Sequence, residues 1–103
     1  MGVRFSPETQ SMKWFVYIVK CLDDSLYTGI TTHVKRRVNE HNHKVGAKSL
    51  RGKVPVSLVY CEQYDSRVEA AKRESEIKGW NREKKIFLIK GFTLNNRVKK
   101  GLP

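Results

Sequence analysis

Eight consecutive residues, Trp14 to Cys21, read WFVYIVKC and place aromatic or β-branched side chains on both alternating faces. A strand of that kind is covered on both sides, because either face left open would hold large apolar groups in water. A chain of 103 residues can bury one modest core and not two, so this strand belongs to that core. Asp23-Asp24-Ser25 then reads as a turn, and LYTGIT, from Leu26 to Thr31, resumes the strand pattern. The two runs predict a hairpin with a short polar connection.

Beyond the hairpin, Thr32 is placed to cap a helix from about His33 to Asn42, with Val34 and Val38 as its apolar pair and Lys35 and Asn39 on the opposite face. HKVGAKSLRGKVP, from His43 to Pro55, holds two glycines, a proline and four basic residues, the description of a mobile cationic loop. SLVYCEQY, Ser57 to Tyr64, is a third strand. Ser66 caps a helix from Arg67 to Lys78 that Gly79 ends. A last helix from Asn81 to Lys90 is expected to stop at Gly91. The expected organisation is therefore a disordered leader over 1–12, one domain over 13–91 and a flexible basic tail over 92–103.

Charge narrows the partner. Twenty-one Lys and Arg against ten Asp and Glu give a net charge of +11, enough to favour a polyanion, with nucleic acid first. No apolar run approaches the roughly 18 residues that span a bilayer, so no membrane role is expected. Cys21 and Cys61 lie in strand-like surroundings without a Cys-x-x-Cys pair and read as buried reduced thiols. With no secretory signal pattern, the expected setting is cytoplasmic. Nothing in the sequence demands an obligate protein partner.

Arg37 and His41 stand four apart and share a helix face bordering Val34 and Val38. A guanidinium matches phosphate oxygens and an imidazole moves protons, so the pair suits a phosphodiester; on spacing alone, two solvated residues are the commoner outcome. Glu74 falls between Ala70 and Ala71 on the small-residue face of its helix, where a carboxylate needs either a basic partner or a cation. Tyr17 and Tyr27 sit on adjacent strands and are explained equally by a core or by a site.

Taken together these positions resemble the GIY-YIG nuclease family. Phe15-Val16-Tyr17 stands where that family has GIY, and Tyr27-Thr28-Gly29 stands where it has YIG. Arg37 and His41 resemble the family's arginine and histidine on the first helix, and Glu74 resembles its metal-binding glutamate. Asn81 is the candidate counterpart of an asparagine that some members carry late in the domain. The match covers about Lys13 to Gly91 and is nearest to the small stand-alone bacterial members, the YhbQ-like group.

The resemblance implies an α+β fold, a three-stranded antiparallel sheet flanked by helices. It implies a metal-dependent DNA nuclease, in DNA repair or processing, with Tyr17, Tyr27, Arg37, His41 and Glu74 as catalytic residues and Mg²⁺ or Mn²⁺ on Glu74. Lys44, Lys48, Arg51 and Lys53 of the loop, with Lys84 and Lys85 of the last helix, are expected to contact phosphates of DNA, RNA staying open. The rival is a non-catalytic nucleic-acid-binding module of the same fold. A carboxylate within a basic surface argues against the rival, because binding alone does not require a group that repels phosphate.

Overall fold

The two faces of the WFVYIVKC run are both sealed: Val16 and Ile18 on one side and Tyr17 and Val19 on the other are each at most 1% exposed. In the computed structural model, which describes the backbone of residues 12–43 and 46–101 and side chains through Phe92, this run is strand β1 (Trp14–Lys20). It lies between β2 (Leu26–Thr31) and β3 (Ser57–Tyr64), antiparallel to both. Helix α1 (Val34–Asn42) covers one face, and α2 (Arg67–Lys78) and α3 (Arg82–Gly101) cover the other. The expected α+β architecture is thus the observed one. No helix among the described residues is long and apolar enough to cross a membrane.

Local chemistry accounts for each joint. In the hairpin, Cys21 N–H donates to the Ser25 carbonyl at 2.8 Å, and Asp24 takes φ 69°, a left-handed conformation that a short polar side chain tolerates. Asp23 Oδ1 accepts from the Ser25 N–H at 3.0 Å and fixes the turn. Ser66 caps α2 by accepting from the Glu69 N–H, and Ala70 and Ile77 of that helix are fully buried against Val16, Ile18 and Tyr60. Between β1 and β3 the register slips at Val59, for Ile18 faces Tyr60 while Val19 faces Leu58.

Four expectations need correction. His33, not Thr32, caps α1: its Nδ1 accepts from the Arg36 N–H at 3.2 Å, while the Thr31 hydroxyl accepts the His33 N–H. The last helix does not stop at Gly91 but continues to Gly101. Gly91 lacks the positive φ of a left-handed stop, and glycine inside a helix costs only about 1 kcal/mol. Phe92 offsets that cost by meeting the Tyr60 ring edge-on at 5.3 Å. The segment from Gly46 to Pro55 is packed rather than free. Leu50, in a single 3-10 turn (Lys48–Leu50), is 3% exposed in the cluster of Val19 and Cys21, and the Lys53 carbonyl accepts the Leu22 N–H at 2.8 Å. Cys21 is a buried free thiol as expected, whereas Cys61 is only half-buried. The leader expected over 1–12 lies, except for Met12, outside the described residues, as does Lys44, and the side chains of the expected tail beyond Phe92 lie outside them too.

Candidate active site

Tyr17 is the centre of the α1 face. Its Cα partner on β2 is Gly29, and a Cβ added there would lie 2.7 Å from the Tyr17 hydroxyl oxygen and 2.8 Å from its ring carbon. The phenol therefore lies across the bare backbone of Gly29, a close approach that any side chain would block. Tyr27, two residues earlier on the same strand face, brings its ring centroid to 6.4 Å from that of Tyr17.

Helix α1 supplies the next two groups one turn apart. His41 is 1% exposed, its Nε2 is 2.9 Å from the Tyr17 hydroxyl, and its ring meets Tyr27 edge-on at 5.5 Å. Nδ1, on the other side of the ring, accepts the backbone N–H of Ala47 at 3.3 Å. Arg37 holds the Glu40 carboxylate at 3.0 Å and its guanidinium sits beside the Tyr17 phenol. Glu74 of α2 is four-fifths buried and pairs with Lys78 at 3.3 Å, and its negative charge is felt at Tyr17. Tyr17, Tyr27, Arg37 and His41, from two strands and α1, thus come together, and Glu74, from α2, acts on them through its charge at Tyr17.

Their titration reflects that crowding. Burial pushes the Tyr17 phenol up to about 12, Arg37 pulling against it and the nearby Tyr27 and Glu74 adding to it. Burial and the Arg37 charge hold His41 below its ordinary value, so the imidazole is neutral at pH 7. For Arg37, burial opposes the charge, but the ion pair with Glu40 and the neighbouring Tyr17 oxygen outweigh it and keep the guanidinium a cation.

The basic residues are not all gathered. Lys48 and Arg51 are exposed at the 3-10 turn, while Lys53 reaches Asp23 at 3.7 Å and is half-buried. Lys84 and Lys85 belong to α3, in the other layer, with the Lys84 ammonium 4.3 Å from the Trp80 ring centre. Asn81 serves α3 as its cap, Oδ1 accepting the Lys84 N–H at 2.9 Å.

Sequence reading missed several participants. Glu40 was legible, since it stands three residues after Arg37 and four after Arg36, within 3.8 Å of the latter. Gly46, Ala47 and Asn42 carried no local signal, because their partners are remote in sequence or belong to the backbone. The Asn42 amide brackets Val56, donating to its carbonyl at 3.1 Å and accepting its N–H at 2.6 Å.

Residues 13–86 match the GIY-YIG catalytic domain, and the chain belongs to that family of nucleases. Its relatives include small proteins called UPF0213. The one from Haloquadratum walsbyi is 59% identical over 79 residues, 77% of this chain and 89% of that protein. One from Staphylococcus aureus is 55% identical over 76 residues, covering 74% and 93% of the two chains. Among solved structures, the solution structure of a UPF0213 protein from Bacillus halodurans is 43% identical, with TM-score 0.51 over 77% of this chain and 84% of that one. A solution structure of a protein from E. faecalis is 36% identical, with TM-score 0.55 over 80% and 88%.

Proposed function

We propose that this chain is a metal-dependent nuclease that hydrolyses phosphodiester bonds of DNA. The observation that carries the reading is the Tyr17 oxygen, 2.9 Å from a buried neutral His41, with Arg37 beside it and the Glu74 charge acting on it. A core tyrosine requires none of these three neighbours. Lys48 and Arg51 stand exposed to take backbone phosphates without reading sequence.

Among the described residues no three His, Cys, Asp or Glu side chains gather as a metal cage. A single carboxylate nevertheless suits Mg²⁺ or Mn²⁺, since Mg²⁺ keeps most of its waters and takes substrate phosphate oxygens as further ligands. Glu74 fits that part: it is four-fifths buried within a basic surface and engages Lys78 through one oxygen only among the described residues. A cation held by Glu74 would supply positive charge to offset the negative charge that develops during phosphodiester hydrolysis.

Arg37 neutralises charge that builds on the phosphoryl oxygens. The Tyr17 phenolate takes a proton from water as the water oxygen bonds to phosphorus, and the bond from phosphorus to the leaving oxygen breaks with its electron pair on that oxygen. Tyr27 and His41 position the phenol. The Glu74–Lys78 ion pair is the one observation that favours the rival, a binding module in which Glu74 is structural.

Single-turnover cleavage of linear, nicked, flapped and single-stranded DNAs, with Mg²⁺ and with chelator, tests the reading. Glu74→Gln should lose most metal-dependent cleavage yet bind DNA at least as tightly, and Arg37→Ala should lose cleavage and some affinity. Full cleavage by folded Glu74→Gln would remove the metal assignment. No cleavage of any substrate by the wild type would favour the binding module.

A further inference from the structure

Resting on the reading above, we propose that the backbone of Gly46 and Ala47 is a positioning element of the site, fixing His41 as the tautomer that carries its proton on Nε2 and donates to the Tyr17 oxygen. A neutral imidazole has one N–H and one acceptor nitrogen. Nδ1 receives the Ala47 N–H at 3.3 Å, and a nitrogen that accepts a donor holds no proton of its own. The proton is then on Nε2, 2.9 Å from the Tyr17 hydroxyl. Tyr17 must accept in that bond, so its own proton points away from His41.

Gly46 makes the arrangement sterically specific. A Cβ there would fall 2.2 Å from Nδ1 and 2.9 Å from Cε1, so only bare backbone can lie against the imidazole. With His41 1% exposed and packed on both tyrosine rings, the ring has no room to turn and offer its other nitrogen. Two consequences follow for the chemistry. His41 cannot be the acceptor of the Tyr17 proton, which leaves Tyr17 to receive a proton from water rather than to relay one inward. A Tyr17 phenolate also meets the His41 donor with the Arg37 cation nearby, the preorganised stabilisation that such a charge needs. The segment that sets the tautomer leads directly into the turn bearing Lys48 and Arg51, so the same stretch of chain orients the imidazole and meets phosphate.

The test is side-chain ¹⁵N NMR of the full chain together with kinetics. The wild type should give a His41 signature with protonated Nε2 and unprotonated Nδ1 at neutral pH. Gly46→Ala should disturb that signature and lower kcat by roughly 10²-fold, the cost of displacing a catalytic group by about 1 Å, with DNA affinity unchanged. Gly52→Ala is the control in the same loop, because a Cβ there meets nothing within 4 Å, and it should leave tautomer and rate unaltered. A wild-type His41 protonated on Nδ1 overturns the proposal even if Gly46→Ala fails to fold, and so does a folded Gly46→Ala that keeps the wild-type signature. Failure of the nuclease reading looks different: the wild type cleaves nothing, while the tautomer remains measurable.

Discussion

His41 and Tyr17 illustrate how a site places ordinary groups in unusual states. Burial and the Arg37 cation depress the His41 pKa, so its contribution to stability is present above 6.5, the value in the unfolded chain, and is lost as pH falls through the lower folded value. Protonation would give Nδ1 a hydrogen facing the Ala47 N–H, two donors with no acceptor between them. Thermal melts should accordingly lose stability below pH 6.5 in the wild type and much less in His41→Gln, and equal acid sensitivity of the two would contradict this. Tyr17 moves the other way, its phenol pushed up to about 12 by burial. Its phenolate fraction then grows tenfold with each pH unit below that value, so cleavage should keep rising through the alkaline range while the protein stays folded. A plateau in the pH–rate profile near neutrality would argue against Tyr17 as the base.

At the scale of elements, the domain is held by joints between layers. Glu62 of β3 accepts from Arg73 of α2 at 3.0 Å and from the Tyr60 and Tyr64 hydroxyls, and Arg73 in turn reaches Glu76 at 2.7 Å and lies 5.0 Å from the Trp80 ring centre. These groups satisfy one another, and the tyrosines and Arg73 together hold the Glu62 carboxyl below its ordinary range against the effect of burial. The cluster fastens the helix that carries Glu74 to the sheet that carries Tyr17. On the other face Asn42 joins the end of α1 to Val56, the 5% exposed residue just before β3. Asn42→Ala should orphan the Val56 N–H and C=O and cost about 1–3 kcal/mol in denaturant unfolding. Because that joint closes the loop containing Gly46 and Ala47, the variant should also lose cleavage beyond the loss of folded protein; a purely proportional decline would show that the loop is held without it.

The whole molecule presents +11 of formal charge on a chain of 103 residues, and the prediction at this scale is electrostatic. DNA affinity should fall linearly on a log–log plot against salt as condensed counterions are released, with a slope near −0.9 per phosphate neutralised on duplex DNA. A slope near zero from low to physiological salt would exclude a phosphate-tracking surface. The hairpin and the burial of WFVYIVKC on both faces could be anticipated because both are local patterns, whereas the pairing of β3 with β1 in the order β2-β1-β3 joins residues far apart in the chain. Helix α2 was legible in the same way, from Ser66 at its start and from Ala70 and Glu74 on one face. Tyr17, Tyr27, Arg37, His41 and Glu74 were found through the motif spacing that they share with a family, since helical and strand periodicity alone fitted a core or a solvated face as well. What only the tertiary structure decided is how those groups are wired. His41 reads as a surface residue on a polar helix yet is buried, because a loop from its C-terminal side folds back over it and supplies a backbone donor. Such a donor belongs to every residue type and leaves no trace in a sequence, so the direction of the bond between His41 and Tyr17 becomes visible only when Ala47 is in place.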